Sequence, residues 1–142
     1  MLFCEEYSVE AGDYQRAGEA SAAIKRTLKQ LGVGGPVLRR MAVASYEAEM
    51  NMVIHSLGGT LSLQVEPPMA YLTSCDTGPG IPDIEEAMRE GFSTANEHAR
   101  SLGFGAGMGL NNMKRNASTF HIESRLGEGT SIRMAFDLEE AL

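Results

Sequence analysis

The sequence predicts an α/β (α+β) two-layer sandwich, with a mixed, mainly antiparallel sheet carrying helices on one face. Three observations predict it. Two stretches of helical apolar period come first, over 14–31 and from Pro36 to about Leu57. Two period-two stretches follow, joined by Pro67-Pro68 in the manner of an antiparallel hairpin. Two more strand-like stretches close the chain, after a helix preceded by glycines.

Each element has its own warrant. Residues 2–10 alternate loosely and fit an edge strand. Within 14–31, Ala17, Ala20, Ile24, Leu28 and Leu31 recur at three- and four-residue steps, and Gly32, Gly34 and Gly35 end the helix. Pro36 suits the first turn of the next one. Its apolar face is Val37, Met41, Ala44, Ala48 and Met52, and Gly58-Gly59 stop it. Thr60 to Glu66 alternates cleanly as a strand; Met69 to Cys75 is a second, ending at Asp76. Asp83 is placed to cap a short helix reaching Glu90. Residues 91–106 have no period and are rich in Gly, Ser and Asn, so they read as a lid. A helix over 107–117, a strand over 120–124, a turn at Gly127-Glu128-Gly129 and a strand over 130–138 complete the chain. No repeat or linker interrupts it, and one domain is expected over 1–142.

Composition narrows the function. The chain has 142 residues, 43% of them hydrophobic, enough for a real core. Its formal charge is −7 and it has no basic run, which argues against a nucleic-acid partner. No stretch approaches the ~20 apolar residues of a membrane helix. Cys4 and Cys75 form no CxxC pair or disulfide framework. The start, Met1-Leu2-Phe3-Cys4-Glu5-Glu6, has no signal-peptide pattern, so a reducing, cytoplasmic location is expected.

Three features carry chemistry. Glu47, Asn51 and His55 stack at i, i+4 and i+8 on one stripe of the second helix, away from its apolar face. An amide oxygen at Asn51 suits Mg²⁺, a hard cation. Glu47 could take a proton from a hydroxyl or water attacking a phosphate. The bland alternative is a solvated helix face, and His55 reads as a structural or surface histidine. Asp76 ends an apolar strand and is followed by Thr77-Gly78-Pro79-Gly80, where glycines let backbone pass close to a base. The alternative there is an ordinary strand-to-turn aspartate. Finally, Gly103, Gly105, Gly107 and Gly109 alternate just before a helix, where exposed amides and the helix dipole favour phosphate. The alternative is a flexible hinge. No GxxxxGK[ST] occurs, and a Rossmann fingerprint would need glycine where Leu110 stands.

With those residues quoted, the chain resembles the GHKL (Bergerat-fold) ATPase superfamily. Glu47-Ala48-Glu49-Met50-Asn51 is similar to its N box. Asp76-Thr77-Gly78-Pro79-Gly80-Ile81 is similar to its G1 box, Gly105-Ala106-Gly107-Met108-Gly109-Leu110 to its G2 box, and Gly129-Thr130 to its late GT motif. The match covers about 35–137 in the correct order. Glu rather than Asn at position 47, and no upstream dimerisation helix bearing a histidine, resemble the anti-sigma-factor and switch-protein serine kinase branch. The stretch Asp83 to Thr94 is especially similar to the switch kinases.

The resemblance implies ATP and Mg²⁺ as cofactors, with Asn51 on the metal and Glu47 as catalytic base. It implies Asp76 on the adenine amino group, with Gly78, Gly80, Ile81 and Thr130 around the base. It implies the amides of Gly103, Gly105, Gly107, Met108, Gly109 and Leu110 around the phosphates; cations near them are few, with Arg100, Lys114 and Arg115 the candidates, a departure from the family pattern. The implied activity is an ATP-dependent protein serine/threonine kinase acting on a STAS-type anti-anti-sigma partner in transcription control. Two alternatives stay open: a nucleotide-gated module that binds a sigma factor without significant kinase activity, and a detached histidine-kinase-like catalytic domain. A homodimer is compatible with each.

Overall fold

The computed structural model describes residues 3–81, 83–88 and 109–139. Five strands form one open sheet: β1 (Phe3–Val9), β2 (Gly59–Glu66), β3 (Met69–Asp76), β4 (Thr119–Arg125) and β5 (Gly129–Asp137). Four helices are described: α1 (Glu19–Gln30), α2 (Gly35–His55), α3 (Ile84–Ala87) and α4 (Gly109–Asn116).

The strand order is β1-β2-β3-β5-β4, with β1 at one edge as its loose alternation predicts. All four pairings are antiparallel. The parallel pairing a mixed sheet would add does not occur among the described residues. The crossover through α4 sets β4 parallel in direction to β3. The β4–β5 hairpin then inserts β5 between them, so the two never become neighbours.

Alternation gives the sheet one apolar face. Leu61, Leu63, Leu72, Ile132, Met134 and Phe136 point into the core and are fully buried. Helices α1, α2 and α4 cover that face, contributing Ile24, Leu28, Met41, Ala44, Ala48, Met52 and Met113. The apolar face read from α2 is the one buried. Burying each large side chain contributes about 1.5–3 kcal/mol, so this layer is the main stabilising term.

The ends of α1 depart from and then match the sequence pattern. The helix starts at Glu19 rather than near residue 14, because Gly18 adopts φ +101° and breaks the helical run. At the other end the amide of Gly32 donates to the carbonyl of Lys29, and that of Val33 to Leu28. Gly32 has φ +83°, so this is a glycine-terminated Schellman closure. Pro36 lies in the first turn of α2 as expected. Asp83 caps α3 by accepting from the Glu86 amide at 3.1 Å. The predicted lid, 91–106, lies outside the described residues.

Candidate functional site

Three chain segments meet at one end of the sheet. There β2 begins, β3 ends and β5 begins, so Gly59 pairs with Asp76 and Gly129 lies beside it. A Cβ on Gly59 would strike the Cys75 carbonyl oxygen, and one on Gly129 the Asp76 carbonyl oxygen. These two positions are glycine because backbone passes against backbone there. The loop after Asp76 is pinned from both sides. Thr77 donates its amide to Gly58 at 3.1 Å, and Leu57 donates to Thr77 at 2.8 Å. On the other side Gly127 donates to Pro79 at 3.0 Å. Gly80, at φ +77°, runs against the Arg125 carbonyl, where a Cβ would come within 2.5 Å.

This frame holds the Asp76 side chain. Its Oδ1 accepts from the Thr130 amide at 3.1 Å. Burial pushes the Asp76 carboxyl above its ordinary range, and the Thr130 amide opposes that rise. Thr130 is itself buried, and its Oγ1 lies 2.9 Å from Ser124 Oγ. Ser124 Oγ also accepts from the Ile81 amide at 2.7 Å. Ser124 therefore couples the Gly78–Ile81 loop to β5. It carries no motif, and nothing local in the sequence marks it. Asp76, Gly78, Gly80, Ile81 and Thr130 are thus gathered in one partly buried cluster at this end of the sheet.

The second part of the site lies between α2 and α4, which pack along each other. Glu47 is half-buried, with Oε2 3.1 Å from where a Cβ on Gly109 would sit. Its carboxylate therefore faces the first turn of α4, where the helix dipole favours negative charge. Burial pushes the Glu47 carboxyl up, and a hydrogen bond from the Asn112 side chain opposes this. Asn51, one turn along α2, is half-buried, and His55 one turn further is too. Burial pushes the His55 imidazole below its usual value.

Leu110 has a side chain and a backbone in different settings. Its side chain is buried in the core, which leaves its backbone in the first turn of α4 as the part able to meet a ligand. Gly103, Gly105, Gly107 and Met108 lie outside the described residues. Asn112, the partner of Glu47, belongs to the residues that sequence reasoning missed. So does Glu49, which lies two residues from Glu47 on the opposite side of α2 and is buried against α1.

The sequence matches known proteins over most of its length. The profile of the histidine kinase-, DNA gyrase B-, and HSP90-like ATPases matches residues 37–140. The serine/threonine-protein kinase RsbT of Bacillus subtilis (strain 168) is 31% identical over 113 residues, 77% of this chain and 79% of that protein. The anti-sigma F factor of Geobacillus stearothermophilus is 35% identical over 92 residues, 61% of this chain and 60% of its own. That of Bacillus licheniformis is 29% identical over 133 residues, 89% of this chain and 88% of its own.

Proposed function

The chain belongs to the histidine kinase-, DNA gyrase B- and HSP90-like ATPases, and from that premise we propose that it is an ATP-dependent protein serine/threonine kinase acting on a STAS-type regulatory partner. The observation that carries this reading is Glu47. A half-buried carboxylate faces the first turn of α4, where phosphate oxygens would be held, with Asn51 one helical turn away.

The residues present fit the groups implied. Asp76 offers a carboxylate braced by one backbone amide, able to accept from an adenine amino group. The backbone contacts at Gly59, Gly80 and Gly129 fix the chain segments on either side of that carboxylate. Asn51 would supply an amide oxygen, the donor chemistry Mg²⁺ prefers. A bound Mg²⁺ would neutralise charge on the phosphates.

Within that frame Glu47 acts as general base. It accepts the proton of a serine or threonine hydroxyl as that oxygen bonds to the γ-phosphorus. The bond from the γ-phosphorus to the bridging oxygen breaks, and ADP leaves with the electron pair. The α4 amides hold charge on the phosphate oxygens.

The test is Glu47→Gln, with nucleotide affinity and phosphoryl transfer from ATP to a STAS-type protein measured together. Transfer should fall by about a hundredfold or more while ATP affinity stays near wild type. Undiminished transfer would sink the base assignment. A second reading is favoured by the name anti-sigma F factor carried by several relatives: the nucleotide-bound protein sequesters a sigma factor. ATP-dependent capture of a purified sigma factor supports it, and capture indifferent to nucleotide counts against it.

A further inference from the structure

Asp76, Thr130 and Ser124 stand in one row across β3, β5 and β4, at the end of the sheet where the candidate site lies. Ser124 pairs with Thr130, and Cys75 with Ser131, which sets Asp76 beside Thr130. The alternation of the strands turns all three toward the helix-covered face. On β4, Phe120 and Ile122 fill that face with partly buried apolar side chains packed on the core. Ser124 ends their series with a hydroxyl where the pattern calls for an apolar group.

We propose that Ser124 is a positioning residue for recognition of the adenine amino group, holding the Asp76–Thr130 pair and the Gly78–Ile81 loop in fixed relation. The proposal rests on the reading of Asp76 as the acceptor for that amino group.

The valences of one hydroxyl carry it. A serine oxygen has one proton to give and two lone pairs to offer. The Ile81 amide donates to one lone pair at 2.7 Å. Thr130 Oγ1 lies 2.9 Å away, and the Gly129 carbonyl oxygen 3.3 Å away. If the Ser124 proton goes to Gly129, Thr130 donates to the remaining lone pair. If it goes to Thr130, the same two oxygens are joined in the opposite sense. In both cases the Thr130 hydroxyl is held on Ser124 while the Thr130 amide donates to Asp76 Oδ1 at 3.1 Å. The other arm ends at Ile81, just past Gly80, and glycine backbone loses the most freedom when it is held still.

An aspartate side chain rotates about two bonds, and a hydrogen bond weakens steeply with angle. The Thr130 amide engages one carboxylate oxygen, which leaves the other for the base. Ser124 keeps that amide, and the loop beside the base, where they are.

The test titrates the full chain calorimetrically with ATP and with the purine ribonucleoside triphosphate that lacks the 6-amino group. Ser124→Ala should weaken ATP about tenfold and the amino-free ligand by no more than about twofold. Ser124→Thr, which keeps the oxygen, should retain the wild-type preference for ATP. A role in packing alone lowers Tm and changes both affinities equally or not at all. Should Ser124→Ala not fold, Ser124→Cys, of nearly the same shape but a weak acceptor, takes its place and should show the same pattern.

Equal losses for the two ligands, or none, overturn the proposal. So does a Ser124→Thr variant as weak as Ser124→Ala. Asp76→Asn keeps the two readings apart. If it abolishes the preference for ATP while Ser124→Ala retains that preference, this proposal fails and the reading of Asp76 stands. If Asp76→Asn retains the preference, or the wild type shows none, both fail.

Discussion

Glu49 Oε1 accepts a hydrogen bond from the Ser21 amide at 2.9 Å, joining residues 28 apart in the chain. Its Oε2 accepts from the amides of Gly18 and Ala20 at 3.0 and 3.2 Å. The N-cap of α1, Gly18, has no side chain to serve those donors. A carboxylate from α2 does so instead, at the positive end of the α1 dipole. Glu47 and Glu49 are two residues apart and about 200° apart around the helix. One faces the candidate site and the other holds two helices together.

Removing Glu49 should therefore cost stability without first touching the site. Glu49→Ala strands up to three amides in the first turn of α1 and leaves a hole, a loss of about 3–5 kcal/mol. Glu49→Gln keeps the shape and one acceptor but loses the charge, a loss of about 1–3 kcal/mol. Urea unfolding at pH 7 measures both. A loss under about 1 kcal/mol for Glu49→Ala would show that water replaces the carboxylate at that helix end.

Two glycines of one turn should respond differently to alanine. Gly127 has φ +78° and open space around it, so Gly127→Ala meets backbone strain only, about 1–2 kcal/mol. Gly129 has φ +141°, and its Cβ would strike the Asp76 carbonyl oxygen. Gly129→Ala must push β5 off β3 beside Asp76, costing more than about 3 kcal/mol and weakening nucleotide binding. Thermal unfolding of the two variants compares them directly. Equal losses would mean that the β5 start gives way freely.

Legibility in the sequence followed the range of each signal. The α2 apolar face, the β2–β3 hairpin and the Gly32 stop are local patterns, and each was readable. The start of α1 was not, because Ala17 continues the apolar period while Gly18 and the distant Glu49 decide the boundary. The insertion of β5 between β3 and β4 depends on how a crossover lands, which no local period encodes. In the site, Asp76 and Glu47 announce themselves through ordered glycine clusters and helical spacing. Ser124 and Asn112 matter only through partners far along the chain, so their types and positions carried no warning.

His55 should give the protein a measurable acid weakness. Burial lowers its pKa from the ordinary 6.5, so the unfolded chain takes up the proton first as pH falls. Stability from this group is full above about pH 6.5 and is lost as pH drops through the folded-state value. His55→Gln should flatten the dependence of Tm on pH between about 7 and 5, whatever its effect on Tm at pH 7. An unchanged slope would show that His55 reaches solvent in both states.

Asp76→Asn separates ligand binding from stability. Thr130 already donates to one Asp76 oxygen, so the asparagine would turn its own oxygen to that amide and present NH₂ where Oδ2 now stands. An acceptor for the adenine amino group becomes a donor, and ATP affinity should fall by about a hundredfold. Stability should move the other way. Burial raises the Asp76 pKa, so the folded protein binds its proton more readily than the unfolded chain. That contribution is complete below the ordinary value of 3.8 and is lost as pH rises through the folded-state value, leaving a cost at neutral pH. A neutral asparagine avoids the cost, so the ligand-free variant should unfold no earlier than wild type at pH 7. Calorimetric titration with ATP and ADP, with and without Mg²⁺, beside thermal unfolding, reads both effects. ATP bound at wild-type affinity would remove Asp76 from the adenine site. A large drop in Tm would instead make it a structural brace for β5.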